Sequence, residues 1–266
     1  MNMRSDFSGN VVSIVTYNNQ DIIREVIESI LKYTAEIEYK IVIYDNKSTD
    51  KTVEIIREIK SDKIEIIESK KNYGFGYGHN RNAERYPKAA NYLIYNPDLF
   101  LKSNLIKVFS EKMKADCQLG MLVPKVKYPD GRLQYLCKRN PTVFDLFMRR
   151  FLKGLLCGYL IRRQEYYEMR DKDYNTNFEL EYASGCCMFI DGELYRKIKG
   201  FDEKIFMYLE DADITRTINK YKKSMYVSDV EVEHLWEKGS HHSLKLMLIN
   251  IKSAFYYFNK WGWKII

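Results

Sequence analysis

Four short apolar runs in the first hundred residues constrain this chain more than any other feature, because each ends on small polar or acidic side chains. Residues 11–17, 39–44, 63–68 and 91–95 read as strands. After the first, Asn19 is placed to cap a helix whose apolar positions Ile22, Ile23, Val26, Ile27, Ile30 and Leu31 recur at helical spacing. A second helix is predicted over 51–60 and a third between Asn80 and Tyr86. Alternating strand and helix is the pattern of a parallel sheet with crossover helices. In such sheets ligands sit beyond the carboxyl ends of the strands. Those ends carry Thr16, Tyr17 and Asn18, then Asp45 and Asn46, then Asn72, then Asn96 and Asp98.

The rest of the chain is mixed. A helix is predicted over 103–114, and a strand over 121–128 enters the turn Pro129-Asp130-Gly131 as the first arm of a hairpin. A strand through 186–190, a short helix from Gly192, a break at Gly200, a helix with an acidic start at Glu210, a strand over 224–232 and a helical C-terminus follow. With 266 residues, 45% of them hydrophobic, the chain can bury a core. No repeat or Pro-rich linker divides it. The five cysteines are odd in number, form no CxxC pair and include adjacent Cys186 and Cys187, which would make a strained bridge, so reduced thiols are expected. The absence of a paired Cys motif also argues against structural zinc. The apolar run near Leu155 to Ile161 is far below the roughly 18 residues that a spanning helix needs. The start at Met1 has no signal-peptide pattern, and the expected location is the cytoplasm.

Four local motifs could carry chemistry. Residues 72–80, Asn72-Tyr73-Gly74-Phe75-Gly76-Tyr77-Gly78-His79-Asn80, could bring backbone amides to a phosphate or form a flexible turn. This stretch is not GxGxxG, it follows the third strand, and no GxxxxGK[ST] loop exists, which argues against NAD and ATP sites. Asn96-Pro97-Asp98 puts a carboxylate at a strand end, as a divalent-cation site or as a surface turn. Glu210, Asp211 and Asp213 suit a helix start through the dipole, yet three together could raise one pKa toward that of a general base. His234, just past a strand, is a candidate metal ligand, while His241 and His242 read as surface residues.

Taken in order, these segments resemble the inverting family-2 glycosyltransferases of the GT-A fold, especially their rhamnosyltransferase branch in bacterial surface polysaccharide synthesis. The carrying residues are Val15-Thr16-Tyr17-Asn18, Asp45-Asn46-Lys47-Ser48-Thr49-Asp50, Asn72-Tyr73-Gly74-Phe75-Gly76, Asn96-Pro97-Asp98, Ser184-Gly185-Cys186-Cys187-Met188, and Gly200-Phe201-Asp202 running into residues 206–213. The resemblance spans about residues 10–240. It implies an α/β fold with a mixed central sheet flanked by helices: a GT-A domain over 1–240, with a nucleotide-binding half at 1–100 and an acceptor half at 101–240, then a C-terminal helix over 241–266. It implies that Thr16, Tyr17, Asn18, Asp45, Asn46, Asn72, Gly74, Asn80 and Asn96 hold the nucleotide sugar. Asp98, the last position of the family's DxD, and His234 would hold Mg or Mn. Asn96 replaces the first Asp, which makes the metal site less anionic. Asp211 would be the general base of an inverting displacement, with Glu210 and Asp213 orienting it or the acceptor. The donor implied is dTDP-rhamnose and the acceptor a polyprenyl-diphosphate-linked saccharide. A UDP-hexose or UDP-galactofuranose donor, a metal-dependent nucleotidyltransferase or phosphohydrolase, and a non-catalytic membrane-bound partner protein are the rivals.

Charge adds a location. Lys plus Arg outnumber Asp plus Glu by 43 to 36, but residues 138–170 alone hold eight basic side chains against three acids, and the last 23 residues hold four Lys and no acid. Both segments are rich in large apolar side chains. Val143, Phe144, Leu146, Phe147, Phe151, Leu152, Leu155 and Leu156 could form one apolar helical face in the first. Such segments fit in-plane binding to an anionic leaflet, here the inner face of the plasma membrane, or else pack on the core or form a homodimer interface. Nucleic acid is not an expected partner, since the basic residues alternate with large aliphatics and no binding module is present.

Overall fold

The computed structural model describes residues 6–151, 158–235 and 244–266. The predicted parallel half is present. Strands β1 (Asn10–Thr16), β2 (Tyr39–Asp45), β3 (Ile64–Glu68) and β4 (Asn91–Tyr95) pair in parallel in the order β3-β2-β1-β4. Helices α1 (Ile23–Tyr33), α2 (Thr52–Glu58) and α3 (Phe75–Arg85) connect them. Strands β1 and β4 are buried on both faces, which is why β1 reads as an unbroken apolar run rather than an alternating one, whereas edge strand β3 is half-buried. Val12 and Ile14 pack with Ile23, Val26, Ile27 and Ile30 of α1, while Val11 packs on the other face with Ala83 of α3 and Tyr86 just after it.

The second half extends the same sheet and makes it mixed. Next come β5 (Leu99–Leu101), α4 (Leu105–Ala115), β6 (Leu119–Lys127), β7 (Cys137–Lys138), α5 (Val143–Phe151) and α6 (Gly158–Tyr167). After them lie β8 (Phe178–Glu179), β9 (Tyr182–Ala183), β10 (Cys187–Asp191), α7 (Gly192–Lys197), α8 (Glu210–Ile218), β11 (Lys223–His234) and α9 (Leu244–Trp261). Strand β10 runs antiparallel between β4 and β6, and the sheet continues to β11 and β5, with β8 also against β11. Strands β7 and β9 form a small separate pair.

Several local expectations are corrected. Asn19 caps nothing with its side chain, which accepts from the Tyr17 amide; its backbone carbonyl starts the helix by accepting from Ile22 and Ile23. The third helix begins at Phe75, not Asn80, because glycine here serves close packing: a Cβ on Gly76 would lie 2.6 Å from the Phe201 Cβ, and one on Gly78 2.7 Å from a Val15 methyl. The turn after β6 closes with Gly131 at φ +82°, yet the returning chain touches β6 only through the Lys127–Leu133 bridge, so no second hairpin strand forms.

The basic segment 138–170 is not one apolar helical face. Two helices fold against each other instead. Asp145 bonds the Thr142 amide and hydroxyl in a capping box, and receives the Arg163 fork at 2.7 and 3.0 Å, which clips α6 to α5. Val143 and Leu146 turn inward, toward a cluster made by Tyr167, Tyr182, Leu209, Ala212, Tyr257 and Phe258. Leu152, Leu155 and Leu156 lie outside the described residues.

Candidate active site

The carboxyl ends of β1 and β2 form a braced crevice wall. Asp45 is buried and accepts from the Thr16 hydroxyl at 2.9 Å, from the Ser48 hydroxyl at 2.5 Å and from the Ser48 amide at 2.8 Å. Asn18, left-handed at φ 58°, receives the Thr49 amide on its Oδ1 at 2.8 Å, and its own amide donates to Ser48 Oγ. Asn46 bridges to the next loop: its Nδ2 donates to the Gly74 carbonyl and its Oδ1 accepts from the Tyr73 amide, both at 3.1 Å. Asn72 Oδ1 accepts from the Gly74 amide. Tyr17 is exposed at the mouth. A carboxylate offers about four acceptor directions, so Asp45 keeps one for a ligand donor after bracing Thr16 and Ser48.

The end of β4 makes a polar corner with β11. Asp98 Oδ2 lies 3.2 Å from His234 Nε2, and the Leu235 amide donates to the Asp98 carbonyl. Gln134 fixes the imidazole from behind, with Oε1 at 2.8 Å from His234 Nδ1 and Nε2 donating to the His234 carbonyl. Asn96 Oδ1, Asp98 Oδ1 and His234 Nε2 are buried with no hydrogen-bond partner among the described residues. Buried polar atoms normally find partners, and two hard oxygens with one imidazole nitrogen suit a divalent cation. No three His, Cys, Asp or Glu side chains converge among the described residues. What the described residues show is the Asp98–His234 pair and, nearby in sequence, the unpartnered Asn96 amide oxygen.

The acidic triplet divides into three environments. Tyr208 and Leu209 are both left-handed, at φ 71° and 67°, an unusual pair of non-glycine residues that turns the chain sharply into α8. Asp211 follows at the second position. Its carboxylate takes the Tyr182 hydroxyl at 3.1 Å from each oxygen, the Gly185 amide at 3.1 Å and the Ala212 amide at 2.9 Å. A Cβ on Gly185 would meet the Asp211 Cβ at 3.2 Å, so glycine lets the amide come this close. Glu210 is buried with Oε2 unpartnered, and burial first, then the Asp211 charge, pushes it up to about 8. The raised acid is thus Glu210. Asp213 has a different task from the one expected: it is buried and bonded to Lys260 Nζ at 2.9 Å and Trp261 Nε1 at 2.7 Å, holding α9 on α8.

Two further expectations change. Asn80 is buried in α3, where Oδ1 accepts from the Phe201 amide and Tyr195 hydroxyl and Nδ2 donates to the Phe201 carbonyl and Glu203. That saturated amide pins the Gly200 turn and has nothing left for a nucleotide. Gly74, at φ +96°, is required where a Cβ would lie 2.2 Å from the Phe206 carbonyl, and the Phe75 amide at the helix start is taken by that same carbonyl. Sequence reasoning missed Ser48, Gln134 and Tyr182 as individual contributors. Ser48 stands inside a motif that was visible, whereas nothing local marks Gln134 or Tyr182. Among the described cysteines all four are free, and burial pushes Cys186 up to about 12. Cys157 lies outside the described residues, as do His241 and His242.

Backbone contacts join these parts. The Asn96 amide donates to the Cys186 carbonyl, one residue from the Gly185 amide that holds Asp211. One continuous wall thus runs from the polar corner to the carboxylate.

Comparison with known proteins bears on the fold and the family. An N-acetylglucosaminyl-diphospho-decaprenol L-rhamnosyltransferase of Mycobacterium tuberculosis is 24% identical over 241 residues, covering 84% of this chain and 75% of the relative. The rhamnosyltransferase WbbL of Escherichia coli K12 is 24% identical over 216 residues, covering 76% and 74%. Among solved structures, GalNAc-T7 with UDP, GalNAc and Mn2+ superposes with a TM-score of 0.64 at 14% identity, over 87% of this chain and 44% of that one. The fold is therefore the GT-A glycosyltransferase fold, as the sequence resemblance implied. Residues 11–199 match the glycosyl transferase family 2, and this chain belongs to that family.

Proposed function

We propose that this protein transfers L-rhamnose from dTDP-rhamnose, with inversion, to a hydroxyl of a polyprenyl-diphosphate-linked saccharide in surface polysaccharide synthesis. The observation that carries the reading is Asp211, held by Tyr182 and two backbone amides at a strained helix start. Donor binding belongs to residues 1–100 and acceptor binding to 101–240 in this reading, with Thr16, Asn18 and Asp45 on base and ribose. Asp211 takes the acceptor hydroxyl's proton as that oxygen attacks the anomeric carbon and the nucleoside diphosphate departs. Tyr182 and the Gly185 amide orient the carboxylate. Glu210, protonated at neutral pH, leaves Asp211 without a second negative neighbour. Asn96, Asp98 and His234 would hold Mg or Mn, which when bound neutralises charge on the departing diphosphate. The relatives support the choice of sugar and acceptor: two are named as rhamnosyltransferases, one on a diphospho-decaprenol substrate.

Membrane attachment forms part of the proposal. No described helix is long and apolar enough to cross a membrane. Leu244, Leu248, Ile251 and Phe255 are exposed at helical spacing along one face of α9, and Lys252 is exposed on the same helix. A stripe of this kind beside lysines suits the surface of an anionic leaflet on the cytoplasmic side. In segment 138–170, Phe147, Tyr159, Ile161 and Tyr166 are exposed while Met148 is buried, so that segment shares the contact with 244–266 in this reading. Flotation with anionic vesicles, set against sedimentation of the free protein, separates this use of the stripe from a homodimer.

The deciding experiment is a donor screen with a divalent cation and a polyprenyl-diphosphate saccharide mimic, following released nucleoside diphosphate. Acceptor-dependent dTDP release from dTDP-rhamnose is the expected result. Release of UDP from a UDP-hexose or UDP-galactofuranose keeps the reaction and changes the sugar. Pyrophosphate or phosphate release would transfer the site to a nucleotidyltransferase or phosphohydrolase reading, and vesicle binding with no turnover to a non-catalytic partner.

A further inference from the structure

A cavity of about 580 Å³ lies where the two basic segments meet. The residues after α9 run across the start of α5, so that the Val143 and Phe144 amides donate to the Lys264 and Ile265 carbonyls at 2.9 and 3.0 Å. Four cations line the space: Arg139, Arg163, Arg216 and Lys264. Two are already neutralised, Arg139 by a fork to Asp171 and Arg163 by its fork to Asp145. Arg216 and Lys264 have no carboxylate partner among the described residues. Arg216 donates to the Tyr257 hydroxyl at 3.3 Å and lies over the Trp261 ring at 4.6 Å, which holds its guanidinium in place without cancelling its charge.

Two relations connect this cavity to the site. Arg216 stands five residues beyond Asp211 on α8, about 7.5 Å along the axis, which is comparable to the length of a sugar ring. Tyr167, on the cavity wall, packs in one cluster with Tyr182, the residue that holds Asp211. The mouth also continues the exposed stripe of α9, since Phe255 meets Trp263 edge to face at 4.9 Å and Trp263 lines the cavity.

We propose that this cavity binds the diphosphate of a prenyl-diphosphate-linked saccharide, with Arg216 and Lys264 on the phosphates and the first prenyl units leaving past Trp263 toward the α9 stripe. The inference rests on the glycosyl-transfer reading for the direction of the saccharide toward Asp211. A diphosphate suits the two cations without a carboxylate partner, because charge-assisted hydrogen bonds to phosphate are roughly twice as strong as neutral ones; the wall also carries the Glu181 carboxylate, which is held by Asn140. The donor's own diphosphate has separate polar atoms at Asn96, Asp98 and His234.

The test titrates farnesyl diphosphate into the full chain, read by tryptophan fluorescence, with farnesol and with saturating dTDP as the other arms. Farnesyl diphosphate should bind at least about tenfold more tightly than farnesol, and Arg216→Gln and Lys264→Ala should each weaken it by about tenfold. Saturating dTDP should leave that binding in place. Equal affinity for farnesol, displacement by dTDP, or unchanged binding in both variants would overturn the proposal. Lys264→Ala alters an exposed side chain outside every helix, so it decides the matter even if Arg216→Gln folds poorly. Prenyl diphosphate binding without sugar transfer would remove the functional reading and keep the cavity. Transfer with an unchanged acceptor KM in both variants would do the reverse.

Discussion

The wall proposed for the donor and the side proposed for the acceptor are built in different ways. Around Asp45, groups about 30 residues apart interlock: Thr16 with Asp45, Asn18 with Ser48 and Thr49, Asn19 with Thr52, Gln20 with Asp50. The turns after β1 and β2 hold each other, and the crevice is formed before any ligand arrives. The acceptor side joins pieces much farther apart in sequence: Val143 to Lys264, Ser253 to Met207, and Asp213 to Lys260 and Trp261. A surface assembled from remote segments can be altered without disturbing the sheet, whereas the interlocked turns around Asp45 cannot.

Three substitutions probe that division, the largest effect first. Asp211→Asn keeps the shape and the helix start but removes the base, so kcat should fall about 10³-fold while nucleoside-diphosphate affinity is retained. A fall in donor affinity as large as the fall in kcat would show that the two sides are not separable. Asp98→Asn acts on the donor side. Transfer should drop about 10²-fold, metal-dependent nucleoside-diphosphate binding should disappear, and a chelator should bring the unaltered protein to the same level. Full activity in chelator would sink the metal assignment. Asp213→Asn should cost about 2 kcal/mol of stability, read as a lower denaturant midpoint, because Lys260 keeps Asp202 but loses its buried partner. Burial alone would lower the Lys260 ammonium's pKa, yet its bonds to Asp213 and Asp202 outweigh it and raise the value, which marks how strongly that node is held. Donor affinity equal to that of the unaltered protein is expected here, since α9 belongs to the acceptor side.

The same division governs what could be read from sequence. The donor wall was legible because strand ends are local features: an apolar run, then Thr16, Asp45 or Asn96. Boundaries of β1 to β4 agree with the apolar runs to within a residue or two. Asn80 and Asp213 misled for one reason. Each is a polar residue next to a genuine motif, and only the tertiary partners, Phe201 and Tyr195 for one and Lys260 and Trp261 for the other, reveal that its capacity is already used. Of the apolar face expected over 143–156, Val143 and Leu146 turn inward while Phe147 is exposed, because helical spacing says which side chains share a face, not what covers that face. Gln134 carries no local signal at all, since its role depends on β11 bringing His234 back from 100 residues away.

Glu210 gives the sharpest test of the two-sided picture, because it sits at the joint. Its ordinary pKa of 4.5 rises to about 8 through burial and then through the Asp211 charge. Between those values the native state holds a proton that the unfolded chain has released, so stability falls as pH rises across that window and levels off above it. Glu210→Gln cannot titrate. Denaturant midpoints measured from pH 5 to pH 9 should therefore decline for the unaltered protein through about pH 8 and stay flatter for the variant. Parallel profiles would mean that Glu210 is ionised in the fold. Its charge would then bear directly on Asp211, and the Asp211 carboxylate would need a counter-charge that the described residues do not supply.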